Sequence, residues 1–170
     1  MELRKAVKGE EHIAMSIIDE ARAFQLSYGN AQWGDGYPSL SLIEKDIEEG
    51  IGYFMITDEI AGYLAIVDYD PSYDDIEGEW LTDGKYLALH RIAFSNNTRG
   101  KGLFQSLIAN IKILAGEKGA GAIRIDTDRR NPIMLHLLPK VGFEFTGYVL
   151  FAGDKKLAYE LPLGAKRNLL

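Results

Sequence analysis

The sequence predicts an α+β fold, with a mixed, mostly antiparallel sheet flanked by helices. Three observations predict it. The apolar pattern alternates along the chain between helical stripes and strand-like runs, in the order β-α-α-β-β-β-α-β-α-β-β. Neighbouring strand runs meet at Asp58-Glu59 and around Gly153-Asp154, which read as hairpins. One long central strand leads through a glycine-rich turn into a long helix.

Taken in order, Leu3 to Val7 is a short strand. Glu10 to Tyr28 is a helix, with Ile13, Ile17, Ala21 and Phe24 as its apolar stripe. Gly29, Gly34 and Gly36 break that pattern through Tyr37. Ser39 to Glu49 is a second helix, with Leu42, Ile43 and Ile47 inward and Gly50 as its stop. Gly52 to Thr57 and Ile60 to Tyr69 form the first hairpin. Tyr86 to Phe94 is the central strand and Leu103 to Lys118 the long helix. Ala122 to Thr127 alternates as a strand. Asn131 to Lys140 is a shorter helix: Asn131 is a good N-cap, Pro132 loses only an amide that has no partner there, and Gly142 suits the stop. Phe143 to Phe151 and Lys156 to Leu161 close the chain as a hairpin. We expect one domain over residues 1–163 and a tail over residues 164–170.

Composition narrows the classes. The 170 residues are 46% hydrophobic and 26% charged, ordinary for a globular protein with a core. Cysteine is absent, so disulfides, thiolate metal sites and a cysteine nucleophile are excluded. His12, His90 and His136 share no metal-ligand spacing, and no metal is expected. The net charge of −6 argues against a nucleic-acid partner. No apolar run approaches the ~20 residues of a membrane span, and the charged start, Met1 to Lys5, does not read as a signal peptide. A cytoplasmic location and no membrane partner are therefore the expectation. The apolar end Asn168-Leu169-Leu170 is the one hint of a homodimer.

The most informative stretch is Asn97-Thr98-Arg99-Gly100-Lys101-Gly102, between the central strand and the long helix. The first amides of a helix lack partners, the helix dipole adds partial positive charge, and glycines let backbone approach an anion. Arg99 and Lys101 add full charges. The stretch reads as a phosphate cradle, but of neither common kind. A P-loop would need Lys then Ser or Thr where Leu103 and Phe104 stand, and a dinucleotide loop would need a third glycine at Gln105.

The Arg-Gly-x-Gly spacing resembles the pyrophosphate loop of the GCN5-related N-acetyltransferases (GNAT). Asn97 stands where that family usually has Gln or Arg. A second match runs from Asn131 to Gly142-Phe143, the family's usual spacing for the end of its cofactor-binding half. The resemblance covers Leu87 to Phe145 and implies the acyl-CoA N-acyltransferase fold and acetyl-CoA as co-substrate. It implies a pyrophosphate on Arg99, Gly100, Lys101, Gly102, Leu103 and Phe104. It also implies backbone contacts from Ile92 and Phe94 to the pantetheine arm, and Asn131 against that arm. The family commonly places a tyrosine general acid seven residues after the capping Asn; here that place holds Leu138. His136, Tyr148 and Tyr159 are the remaining candidates, and we take Tyr148. For the base we take His90 on the central strand, with Asp126 as rival. By the two-residue period His90 shares a face with Ala88 and Ile92.

The connection between the first two helices overlies the acceptor in that family. Here Gln32, Trp33, Asp35 and Tyr37 could line a pocket. From Asp68 to Asp83 there are seven acids and no Lys or Arg. The expected acceptor is therefore a small cationic amine, or a peptide amine, between these two segments. A non-catalytic acyl-CoA-binding or regulatory module is the alternative.

Overall fold

A computed structural model describes residues 1–34, 36–151 and 153–164. Asp35, and the apolar end at 168–170, lie outside the described residues. The elements run β1 (Glu2–Lys5), α1 (Glu11–Ser27), α2 (Leu40–Glu48), β2 (Gly52–Ile56), β3 (Ile60–Val67) and β4 (Glu77–Gly78). They continue with β5 (Tyr86–Phe94), α3 (Leu103–Lys118), β6 (Ala122–Thr127), α4 (Pro132–Lys140), β7 (Glu144–Phe151) and β8 (Asp154–Pro162). The strands form one mostly antiparallel sheet in the order β1-β2-β3-β5-β6-β8-β7-β4, with β5 and β6 parallel. This is the expected α+β class.

Local signals account for most boundaries. Ser39 accepts the amide of Leu42 at 3.2 Å and starts α2. Asn131 accepts the amide of Met134 at 3.2 Å and starts α4, with Pro132 at its first position. β5, α3 and β6 have the expected bounds.

A strand and a one-turn helix were not foreseen. Pro71–Tyr73 forms a short 3₁₀ turn, and β4 has only two residues, too few to show any period. β4 pairs with β7 where Gly78 faces Gly147. Side chains are excluded there: a Cβ on Gly78 would sit 2.2 Å from the Thr146 carbonyl, and one on Gly147 would sit 2.3 Å from the Glu77 carbonyl.

The described residues pack as two compact units that interleave in sequence, those of Met1–Ile66 with His90–Asn110, and those of Val67–Leu89 with Ile111–Leu170. In the first, Ile17, Ile18 and Ala21 of α1 and Ile43 and Ile47 of α2 form a core with Phe54, Tyr63 and Ala93. In the second, Tyr73, Trp80, Tyr86, Ala122, Val149 and Ala158 cluster. Burial of an isoleucine, valine or phenylalanine among them contributes roughly 1.5–3 kcal/mol.

Candidate functional site

The glycine turn is built from the end of β5. The Ser95 amide donates to the Ala61 carbonyl at 2.9 Å, and the amides of Thr98 and Arg99 both turn back onto the Ser95 carbonyl. Thr98 is buried, and its hydroxyl donates to the Ala61 carbonyl at 2.7 Å. This threonine anchors the turn to β3, a role the sequence reading did not assign. Gly100 and Gly102 then take φ of +78° and +72°, which glycine adopts at little cost. A Cβ on either would meet no atom within 4 Å, so both face open space, and α3 begins at Leu103. The turn is thus an anchored, uncovered run of backbone at a helix N-terminus.

Arg99 serves the turn itself. Its Nη2 donates to the Phe94 carbonyl at 2.9 Å, and its guanidinium lies 4.2 Å from the centre of the Phe24 ring. Burial pulls its pKa below the usual arginine value. The exposed cation of the turn is Lys101.

His90, Arg91 and Ile92 sit half-buried where β5 approaches this turn. Arg91 takes φ +56°, uncommon for a residue with a side chain. The alternation that put His90 and Ile92 on one face therefore cannot be carried through Arg91. The conformation is held by Asp46, which is 1% exposed on α2 and accepts from Arg91 at 2.7 and 2.8 Å. Tyr63 also donates to Asp46, at 3.1 Å. Burial pushes the Asp46 carboxyl above its ordinary range, against the pull of Arg91, with His90 also acting on it. Burial lowers Arg91, but Asp46 and a bond to Tyr37 outweigh this and leave it raised. Tyr37, Arg91, Asp46, Tyr63 and His90 are thus one cluster in the first unit. Asp46 was not foreseen, although its place three residues after Ile43 marked it as inward.

In the connection from α1 to α2, Trp33 is buried in the core of the first unit. Arg22 fastens the segment, donating to the carbonyls of Trp33 at 3.1 Å and Pro38 at 2.7 Å. Gln32 is half-buried, its amide on Asn30 Oδ1 at 3.0 Å.

The remaining candidates belong to the second unit. Asn131 is buried as well as capping. Leu138, in the place of the family's tyrosine, is fully buried core. Tyr148 is 39% exposed on β7, edge-on to Phe145 with ring centres 5.4 Å apart. Tyr159 is buried and His136 exposed. Asp126 accepts from Tyr73 at 2.8 Å, and burial holds that phenol well above its usual pKa.

The carboxylate that organises the turn before α4 is Asp128. It takes two guanidinium bonds from Arg130, each 2.8 Å, and one from the buried Lys156 ammonium at 2.7 Å. The Arg130 bonds, followed by those from Lys156, hold it well below the usual carboxylate range. A depressed folded pKa means stability that is present at neutral pH and drains as pH falls below the ordinary aspartate value near 4. Asp128→Asn should therefore melt lower than the parent at pH 7, and the gap should narrow as pH is taken to 3. Melting curves across that range test it; a constant gap would contradict it.

Asn131→Ala should cost about 1 kcal/mol as a lost cap. If the residue also touches the cofactor arm, KM for acetyl-CoA should rise. A change in melting temperature alone would leave it a cap.

The acidic segment is less open than its composition implies. Asp68 pairs with Lys118 at 2.9 Å, Glu77 pairs with Lys155 at 2.6 Å, and Asp70 caps the 3₁₀ turn through the Ser72 amide. The expectation of seven unrelieved acids is corrected: cations remote in sequence fold onto Asp68 and Glu77. Among the described residues no group of His, Asp and Glu could hold a metal ion, and no helix is long and apolar enough to cross a membrane.

Comparison with known proteins agrees with this architecture. The model of the Acetyltransferase (GNAT) family matches residues 18–143. A GNAT-family acetyltransferase from Streptococcus agalactiae is 37% identical, over 96% of this chain and 95% of that one, with a TM-score of 0.85. One from Listeria monocytogenes is 25% identical, over 95% and 94%, with a TM-score of 0.75. AAC(6')-Ib in complex with paromomycin and acetyl-CoA is 18% identical over 95% and 93%, with a TM-score of 0.70, a likeness of fold. No curated protein shows significant sequence similarity.

Proposed function

This chain belongs to the GNAT acetyltransferase family, and from that premise we propose that it moves the acetyl group of acetyl-CoA to a primary amine, small and cationic, by direct attack in a ternary complex. The observation that carries the reading is the glycine turn, anchored by Thr98 and open above Gly100 and Gly102 at the start of α3. Its amides from Arg99 to Phe104 hold the pyrophosphate, with Lys101 adding a full charge. The backbone of Ile92 and Phe94 receives the pantetheine arm, and Asn131 contacts it. Gln32 and Tyr37 face the acceptor, and the buried Trp33 supports their segment. The amine acceptor is supported by the aminoglycoside complex of the fold neighbour. Acetyl-CoA being a cytoplasmic metabolite, the cytoplasm is the proposed location.

The chemistry asks little of the protein, because a thioester is already activated. The amine nitrogen bonds to the carbonyl carbon, the carbon–sulfur bond breaks, the amine gives up a proton and the thiolate gains one. We assign the first proton transfer to His90 and the second to water, since Tyr148 stands on β7, three strands from β5 in the sheet order. His90→Ala should lose about 100-fold in rate. If the rate survives, Asp126 is the next base to replace.

The deciding experiment measures acetyl-CoA-dependent release of free thiol with a panel of amines, amino acids, polyamines and peptides. Release above the amine-free control supports the reading. Acetyl-CoA binding with no release for any amine would leave a non-catalytic acyl-CoA-binding module.

A further inference from the structure

Among the described residues Arg91 alone, apart from glycines, takes a positive φ, +56°. Such a conformation persists only where the surroundings fix it. Both flanks of the bend are held by other contacts. Before it, β5 runs in a parallel ladder beside β6 from Tyr86 to Leu89. After it, the Ala93 carbonyl lies so close to β3 that a Cβ on Gly62 would collide with it. Between these flanks it is the Arg91 side chain that ties the backbone down.

The tie is a buried ion pair. Asp46 is 1% exposed and takes two guanidinium bonds from Arg91, at 2.7 and 2.8 Å, and the Tyr63 hydroxyl at 3.1 Å. That hydroxyl is itself confined, 2.7 Å from where a Cβ on Gly52 would stand. The same guanidinium is bonded to Tyr37. A buried ion pair adds little stability over apolar side chains of the same volume, so stability alone does not account for it. What it does define is geometry. The fork of Arg91 meets the carboxylate at two points, which fixes its direction from β5 towards α2. Along an unbroken strand the N–H and C=O groups alternate between the two edges, and a positive φ interrupts that alternation. The bend therefore sets where the Ile92 amide and carbonyl point.

We propose that Asp46 and Arg91 are positioning residues for the pantetheine arm of the cofactor, acting through the bend that turns the Ile92 backbone towards it. Neither is asked to touch a reacting atom. The inference rests on the reading that this backbone receives the arm, and adds the pair that aims it.

The test separates the bend from the charge. Asp46→Asn with Arg91→Ala and Asp46→Asn with Arg91→Gly both remove the ion pair without stranding a buried charge, but only glycine takes a φ near +56° at little cost. Calorimetry on the full-length proteins compares CoA with 3′-phospho-ADP, which is CoA cut off before its pantetheine arm. The alanine double variant should lose at least tenfold towards CoA and less than twofold towards 3′-phospho-ADP. The glycine double variant should stay within threefold of the parent towards both. Arg124→Leu with Glu160→Gln, which removes a buried pair of the other unit, should change neither ligand more than twofold. In acetyl transfer, kcat should fall in the alanine variant and recover in the glycine variant. Equal behaviour of the alanine and glycine variants, or parallel losses for the two ligands, would overturn the proposal. A parent that binds CoA but releases no thiol with any amine would end the transfer reading and leave this comparison to stand by itself. If the alanine variant does not melt cooperatively, Arg91→Lys decides. It keeps a charge on Asp46 without the two-point contact and should weaken CoA at least threefold relative to 3′-phospho-ADP; an unchanged ratio would overturn the proposal.

Discussion

Gly102→Asp is expected to abolish measurable acetyl-CoA binding, a loss of at least about 100-fold, while leaving the melting temperature within a few degrees of the parent. The fold should tolerate the change because no atom lies within 4 Å of where the new Cβ would stand. The local cost is that of holding a side chain at φ +72°, about 1–2 kcal/mol. The ligand should not tolerate it. An aspartate there places bulk and a negative charge where the proposed pyrophosphate meets the first amides of α3, reversing the field that these amides and the helix dipole supply. Lys101→Ala should be milder, since the amides remain. Calorimetry with acetyl-CoA reads both. Unchanged affinity in Gly102→Asp would move the cofactor site elsewhere, and a cooperative melt shows whether the variant folded.

Arg124→Leu should destabilise the protein by about 3–5 kcal/mol, the range for removing one partner of a buried ion pair. Glu160 is fully buried, and its carboxylate accepts from Arg124 Nε at 3.0 Å, from the Thr82 hydroxyl at 2.7 Å and from the Thr82 and Leu81 amides. Without the arginine a buried negative charge keeps only neutral donors. The variant also loses the packing of a guanidinium between Trp80 and Tyr86. Against a total stability of about 5–15 kcal/mol, such a loss is severe. Adding Glu160→Gln should recover part of it, because the stranded charge is then gone. Denaturant unfolding of the parent, the single and the double variant measures both effects. A single variant within 1 kcal/mol of the parent, or a double variant no better than the single, would show that the pair is not what holds these strands.

Most of the fold, and the glycine turn proposed to hold the pyrophosphate, could be read from local chemistry. The helical stripe of α1, the bounds of β5, α3 and β6, the Asn131 cap and the paired glycines at 100 and 102 are each written in a few adjacent residues. A helix period, a cap and a positive φ depend on the nearest turns of chain. The fold class followed from their order.

The parts that escaped share the opposite property. Asp46 and Arg91 are 45 residues apart, and Arg124 and Glu160 are 36 apart. A charge at an inward position can be suspected from its strand or helix alone, but its partner is named only when registry sets Arg124 opposite Glu160. The same holds for Arg91. Nothing in its neighbours asks for φ +56°, and it is α2, folded beside β5, that supplies the carboxylate holding it there. The two-residue β4 exists because Gly78 meets Gly147 across strands. Trp80 and Tyr86 close around an arginine from β6. The sequence by itself determined the elements, their order and the glycine turn, because those energies are local. Only the tertiary structure decided which buried charges are paired, where β5 is bent and what the acidic segment encloses, because these depend on contacts between residues far apart in the chain.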